Sequence, residues 1–127
     1  MNLSGPPDSD EVRAFITGTA LRWFSEFHID GLRLDAVHAL ADHRAVHILE
    51  ELAAATDALS AELGRPLSLI AESDLNDPRM FTSRAAGGLG LAAQWDDDIH
   101  HAIHTLVSGE RQATTPTSAV STASQRS

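Results

Sequence analysis

The sequence predicts an α/β fold with a parallel sheet, a fragment of about three βα units of a (β/α)8 TIM barrel, and three observations carry that reading. Helical and strand patterns alternate in the order helix, strand, helix, strand, short helix, strand, helix, which is the repeat of a parallel sheet. Asp35, Glu72 and Asp97 each fall at or just past the C-terminal end of an expected strand, the end at which barrel enzymes hold their chemistry. A doubly wound nucleotide fold is the other architecture with this order, but neither a GxGxxG nor a GxxxxGK loop is present. The stretch Gly87-Gly88-Leu89-Gly90 is too short and follows no strand.

The elements follow in order. Met1 to Pro7 reads as a loop from its Gly-Pro-Pro content, and Asp8 with Glu11 three residues later forms a capping box for a helix. Val12, Phe15, Ile16, Ala20, Trp23, Phe24 and Phe27 recur at steps of three and four, which predicts an amphipathic helix of about four turns. Trp23, Phe24 and Phe27 are expected on its core face. Gly31 lets that helix end and a strand begin, and Leu32 to Ala36 then alternates apolar and charged side chains. Arg33 and Asp35 therefore share one face, while Leu32 and Leu34 take the face covered by helices. A second helix is expected from about Ala41 to Leu63, stopped by Gly64. Pro66 to Ala71 reads as a buried strand leading to Glu72, followed by a turn and short helix across Asn76 to Arg84. Leu91 to Trp95 is a third strand delivering Asp96-Asp97-Asp98. The last helix carries His100, His101 and His104, with Val107 near its end. Residues 1–112 form one partial domain, and the Ser/Thr/Ala-rich residues 113–127 are expected to be a disordered tail.

Composition excludes several classes of function. The net charge is −9 and all nine basic residues are Arg, so neither nucleic acid nor an anionic membrane is an expected partner, since both need clustered positive charge. Without Cys there is no disulfide framework and no thiolate ligand or nucleophile. The N-terminus lacks the apolar core of a signal peptide and no run approaches a membrane span. A soluble, cytoplasmic protein is the expectation, with oligomeric state left open.

The stretch His28 to His38, HIDGLRLDAVH, concentrates the ionisable groups. Neighbouring parallel strands lie about 4.8 Å apart, so Asp35 and Glu72 at the ends of adjacent strands fall near the roughly 5–5.5 Å that two carboxylates keep in a retaining glycosidase. Arg33 on the same face keeps Asp35 ionised, and the charge of Asp35 favours a protonated Glu72 that can donate. An isolated RxD is more often a structural ion pair. The second carboxylate after the next strand turns the reading toward catalysis. Asp96 to Asp98 could equally be negative charge at a helix N-terminus, and Trp95 could pack in a core or stack on a sugar. His100 and His104, four apart on a helix, have metal-ligand spacing, but no HExxH pattern accompanies them. No metal and no cofactor are expected.

GLRLDAVH at Gly31 to His38 with LIAES at Leu69 to Ser73 resembles two signature regions of the alpha-amylase superfamily of glycoside hydrolases. AESDLNDPR and QWDDDIHHAIHTLVSGE are further similar to its malto-oligosyltrehalose trehalohydrolase family. The resemblance covers about Asn2 to Glu110 and implies a retaining α-glycosidase acting on maltooligosyltrehalose or a related α-glucan, and releasing trehalose. It implies Asp35 as nucleophile, Glu72 as general acid/base and Arg33 as partner of the nucleophile. His38 is implied as a sugar contact, and Asp97, Asp98, His100 and His101 as a substrate-binding loop. The family carries Asn where this chain has Asp96. Its first signature region, with an Asn-His pair, and its fourth, with a third catalytic Asp, have no counterpart here. The expectation is therefore a partial glycosidase catalytic domain, and a truncated, inactive piece of that enzyme or of a glycogen branching enzyme is the alternative. A His/Asp metallohydrolase stands third. Three strands with both sheet edges open predict that the 127-residue chain on its own self-associates or stays molten.

Overall fold

The computed structural model describes residues 2–5 and 8–109, apart from the side chain of Asp97. The tail expected over 113–127 lies outside the described residues. Three strands, β1 (Gly31–Leu34), β2 (Ser68–Ser73) and β3 (Ala93–Asp96), alternate with helices α1 (Ser9–Ser25), α2 (Ile48–Leu63) and α3 (Asp97–Ser108). Short 3-10 turns occupy Val37–Ala39, Pro78–Met80 and Arg84–Ala86. All strand pairs are parallel and the sheet runs β1-β2-β3 in chain order. A barrel keeps sequential strands adjacent in this way, as does each half of a doubly wound sheet, which reverses its order only at the switch point.

The core lies between the sheet and the helices α1 and α2. Phe24 from α1, Ile48, Leu49, Leu52 and Ala53 from α2, and Leu69 and Ala71 from β2 are buried there, with Leu32 and Leu34 packed against them. Each large aliphatic or aromatic side chain among them contributes about 2 kcal/mol through burial. Gly64 ends α2 in the left-handed conformation at φ 68°, its N–H donating to the Ser60 carbonyl at 3.0 Å, as expected of a C-terminal glycine.

Several expectations are corrected. Asp8 precedes α1, but its side chain makes no capping hydrogen bond, because its backbone at φ −101°, ψ 0° lies outside the extended region an N-cap residue uses. Trp23 and Phe27 are not core: both are exposed, their rings packed on each other at 4.8 Å. Phe15 is exposed as well. The buried stripe of α1 runs instead through Ser9, Arg13, Ala20 and Phe24. The strand begins at Gly31 as expected, paired with Ser68, but α1 already ends at Ser25 and the positive φ between the two elements belongs to His28. The second helix starts at Ile48 rather than Ala41. Glu72 lies inside β2, and β3 starts at Ala93.

The late start of α2 has a physical cause. Asp42 turns its carboxylate onto the main chain, accepting from the N–H groups of Arg44 at 3.1 Å and Ile48 at 2.6 Å. Such local bonds compete with the helical ladder. The same carboxylate pairs with Arg13 at 2.5 Å, and both side chains are almost fully buried. Arg13 also meets Glu51 at 2.6 Å and donates to the carbonyls of Leu3 and Val46. One guanidinium thus joins the N-terminal segment, α1, the loop after β1 and α2. Burial alone would push the Asp42 carboxyl up, but the N–H groups of Arg44 and Ile48 and the charge and hydrogen bond of Arg13 hold it below the usual carboxylate range. At the other end of the layer, Arg65 donates to the carbonyls of Phe24 at 2.5 Å and Ile29 at 3.3 Å and pairs with Asp30.

His47 caps α2 with Nδ1 accepting from the Leu49 N–H at 3.1 Å. Burial holds its imidazole below the ordinary value, against the charge of Asp42 and a hydrogen bond with Leu40, while the charges of Arg13 and Arg79 add to the lowering. A histidine lowered in the folded state binds its proton more readily unfolded. Its contribution to stability is therefore present above the unfolded value, about pH 6.5, and is lost as pH falls from there toward the folded value. Thermal melts from about pH 7.5 down to 5.5 should show a falling Tm that flattens in His47→Asn, which keeps a capping acceptor but has no proton to take up. Asp42→Asn should cost about 3–5 kcal/mol, because it leaves a buried guanidinium short of a countercharge. Denaturant unfolding measures that loss, and a change below about 1 kcal/mol would remove the buried pair from the account of stability.

Candidate active site

The parallel register sets the site. Leu34 pairs with Ala71, so Asp35, the next residue, falls level with Glu72, and Glu72 itself pairs with Trp95. Side chains alternate along a strand, which puts Arg33, Ile70, Glu72, Ala93 and Trp95 on the face turned away from α1 and α2. At the C-terminal edge of that face three ionisable groups meet. Arg33 Nη1 donates to Asp35 Oδ1 at 3.0 Å, and Arg33 Nη2 stands 3.5 Å from Glu72 Oε1. Its guanidinium also lies over the Trp95 ring, 5.9 Å from the centroid, within the range of a cation–π contact. The two carboxylates differ in environment, since the Asp35 side chain is 78 % exposed and that of Glu72 only 13 %.

Glu72 is held from a second side. The Ala36 N–H donates to Glu72 Oε2 at 2.6 Å. Ala36 reaches it by adopting the left-handed conformation, φ 48°, ψ 45°, which costs an L-residue about 1–2 kcal/mol. Among the described residues only His28 and Ala36 have a positive φ without being glycine. The turn that follows carries His38, whose Nε2 lies 3.7 Å from Asp74 Oδ2.

The residues expected of a substrate loop are placed around the start of α3. Asp98 Oδ2 accepts from Asn76 Nδ2 at 2.8 Å, tying α3 to the β2–β3 crossover. Asp96 Oδ1 accepts from the Asp98 N–H at 2.9 Å and so caps the helix. Asp97 opens α3. His100 and His101 are exposed, their rings meeting edge to face at 5.6 Å. Among the described residues no group of three or more His, Asp or Glu side chains is placed to hold a metal ion. Between crossover and helix lies a cavity of about 370 Å³ lined by Asn76, Pro78, Phe81, Gln94, Asp96 and Ile99, among others.

Arg33, Asp35 and Glu72 are thus the expected residues that the fold brings into contact. Two participants escape a reading of the sequence, and the placement of a third, Trp95, is open until the register is known. The Ala36 N–H is a main-chain group and carries no side-chain signal. Asp74 stands two residues past Glu72 and its pairing with His38 depends on a turn conformation. Trp95 is settled on the open face by the register alone.

Adjacent parallel strands in chain order, with two carboxylates and their shared arginine at the C-terminal edge, fit a segment of a (β/α)8 glycoside hydrolase. A solved structure of a Salmonella typhimurium protein assigned as an alpha amylase superposes with a TM-score of 0.63 at 33% identity, covering 84% of this chain and 18% of that one. More specifically, the chain is similar to malto-oligosyltrehalose trehalohydrolase: it is 68% identical over 112 residues to that of Mycobacterium tuberculosis. A 1,4-alpha-glucan branching enzyme from Mycobacterium bovis is 30% identical over 106 residues. This chain spans 19% of the length of the trehalohydrolase it matches, which in turn covers 88% of this chain. No family model matches. Among the described residues, no helix is long and apolar enough to cross a membrane.

Capping explains how Asp can stand at position 96 where the family resemblance expects Asn, since the two cap helices about equally well. Asp96→Asn should leave stability within about 0.5 kcal/mol and Asp96→Ala should lose about 1 kcal/mol. Equilibrium unfolding of the two variants tests this, and an equal loss in both would assign Asp96 a charge-dependent role instead.

Proposed function

We propose that this chain carries the nucleophile and the general acid/base of a retaining α-glycosidase that cleaves the α-1,4 bond of maltooligosyltrehalose to release trehalose. The observation that carries the proposal is the single guanidinium of Arg33 in contact with both Asp35 and Glu72. Carboxylates on adjacent strands, about 4.8 Å apart, suit the roughly 5–5.5 Å of double displacement better than the wider spacing of inversion. Asp35, exposed and hydrogen-bonded to Arg33, is the ionised group that attacks the anomeric carbon. Glu72, sheltered and fixed by Ala36, gives its proton to the departing glycosidic oxygen as that bond breaks. It then takes a proton from the water that releases the sugar from Asp35.

The higher identity to trehalohydrolase than to branching enzyme, 68% against 30%, supports hydrolysis over transfer. In this reading His38, Asp97, Asp98, His100 and His101 contribute to sugar binding near the C-terminal edge. The net charge of −9 favours a neutral glucan over nucleic acid or membrane as the ligand, and a cytoplasmic site of action fits the absence of cysteine.

In the full-length enzyme carrying this segment, Asp35→Asn and Glu72→Gln should each lower trehalose release from maltooligosyltrehalose on the order of a thousandfold or more. Release by either variant at close to the parental rate would sink the assignment.

A further inference from the structure

Glu72 has two oxygens in different surroundings. Oε2 accepts the Ala36 N–H at 2.6 Å, while Oε1 faces the Arg33 guanidinium at 3.5 Å. A carboxyl oxygen already accepting a short main-chain hydrogen bond is poorly placed to carry a proton itself. We propose that the Ala36 N–H, presented by a left-handed backbone turn, is a positioning donor that makes Oε1 the proton-carrying oxygen of Glu72. The proposal rests on the reading of Glu72 as acid/base and adds the atom through which it works.

The proton balance is simple. Protonated at Oε1, Glu72 gives that proton to the glycosidic oxygen as the bond to the anomeric carbon breaks, and is left as a carboxylate. In the second half-reaction the same oxygen takes a proton from the attacking water. Arg33, which meets Asp35 at 3.0 Å and Glu72 Oε1 at 3.5 Å, follows the charge: it serves the Asp35 carboxylate while Oε1 is protonated, and the Glu72 carboxylate once Asp35 carries the sugar. The turn couples the two catalytic groups directly, since Ala36 is the residue after Asp35. Its conformation limits what position 36 can hold. Glycine enters the left-handed region freely, alanine at some strain, and a β-branched residue hardly at all.

The test uses the full-length enzyme carrying this segment. Ala36→Val should lower kcat on the order of a hundredfold with KM little changed, as for a catalytic group displaced without loss of binding. In alanine-15N-labelled protein the residue-36 amide, identified by its loss in Ala36→Gly, should resonate downfield, move upfield in Glu72→Gln and stay in place in Asp74→Asn. An unmoved amide in Glu72→Gln overturns the hydrogen bond, whether or not Ala36→Val folds, and a fully active Ala36→Val enzyme overturns the positioning role. A fully active Glu72→Gln enzyme would instead remove the acid/base reading beneath the proposal, so the two failures are distinguishable.

Discussion

Everything chemical in this chain depends on the parallel register that sets Leu34 beside Ala71 and Glu72 beside Trp95. A slip of one residue would send Glu72 to the helix-covered face and bring Ala71 or Ser73 to the open one. The register is held by burial, because Leu69 and Ala71 must lie under α2. Packing on one face of the sheet thereby determines which charges stand together on the other. The same alternation that fills the core presents Arg33, Glu72 and Trp95 to the open side.

The helical layer reaches that position through charge as much as through apolar contact. Arg13 occupies a core-facing turn of α1 where an aliphatic residue would ordinarily stand, and Asp42 and Glu51 meet it there. A buried pair of this kind is a weak source of net stability but a strong source of specificity, since any other docking of α1 would strand a charge. It also fixes where α2 begins, through the hydrogen bond from Ile48 to Asp42.

Much of the architecture was legible in the chain. Strand order, the shared face of Arg33 and Asp35, and the stop at Gly64 follow from period-two and helical patterning and from turn chemistry. What escaped reading depends on partners far away in sequence. Arg13 looks like a solvated charge until Asp42 and Glu51 are known to face it. Trp23 and Phe27 fit a helical stripe as well as Phe24 does, but of the three only Phe24 is buried. The start of α2 was misplaced because Ala41 to His47 has no breaker residue, only Asp42 drawing the backbone onto its carboxylate. At the site, the meeting of Arg33, Asp35 and Glu72 was readable from strand position, while the Ala36 contact arises from a φ angle that no residue type announces.

Arg65 gives the layer a further property. Its contacts to Phe24 and Asp30 span 41 and 35 residues of chain, and they lie where β1 enters its pairing with β2, the Ser68 N–H donating to the Asp30 carbonyl at 2.9 Å. Loop-closure entropy grows only slowly with length, so most of the entropic penalty for joining the two ends is met once. A single closure aligns the strands, docks α1 and sets the register together. Arg65 thus ties the end of α1 to the entrance of β1 and β2, the kind of contiguous unit that opens together in hydrogen exchange.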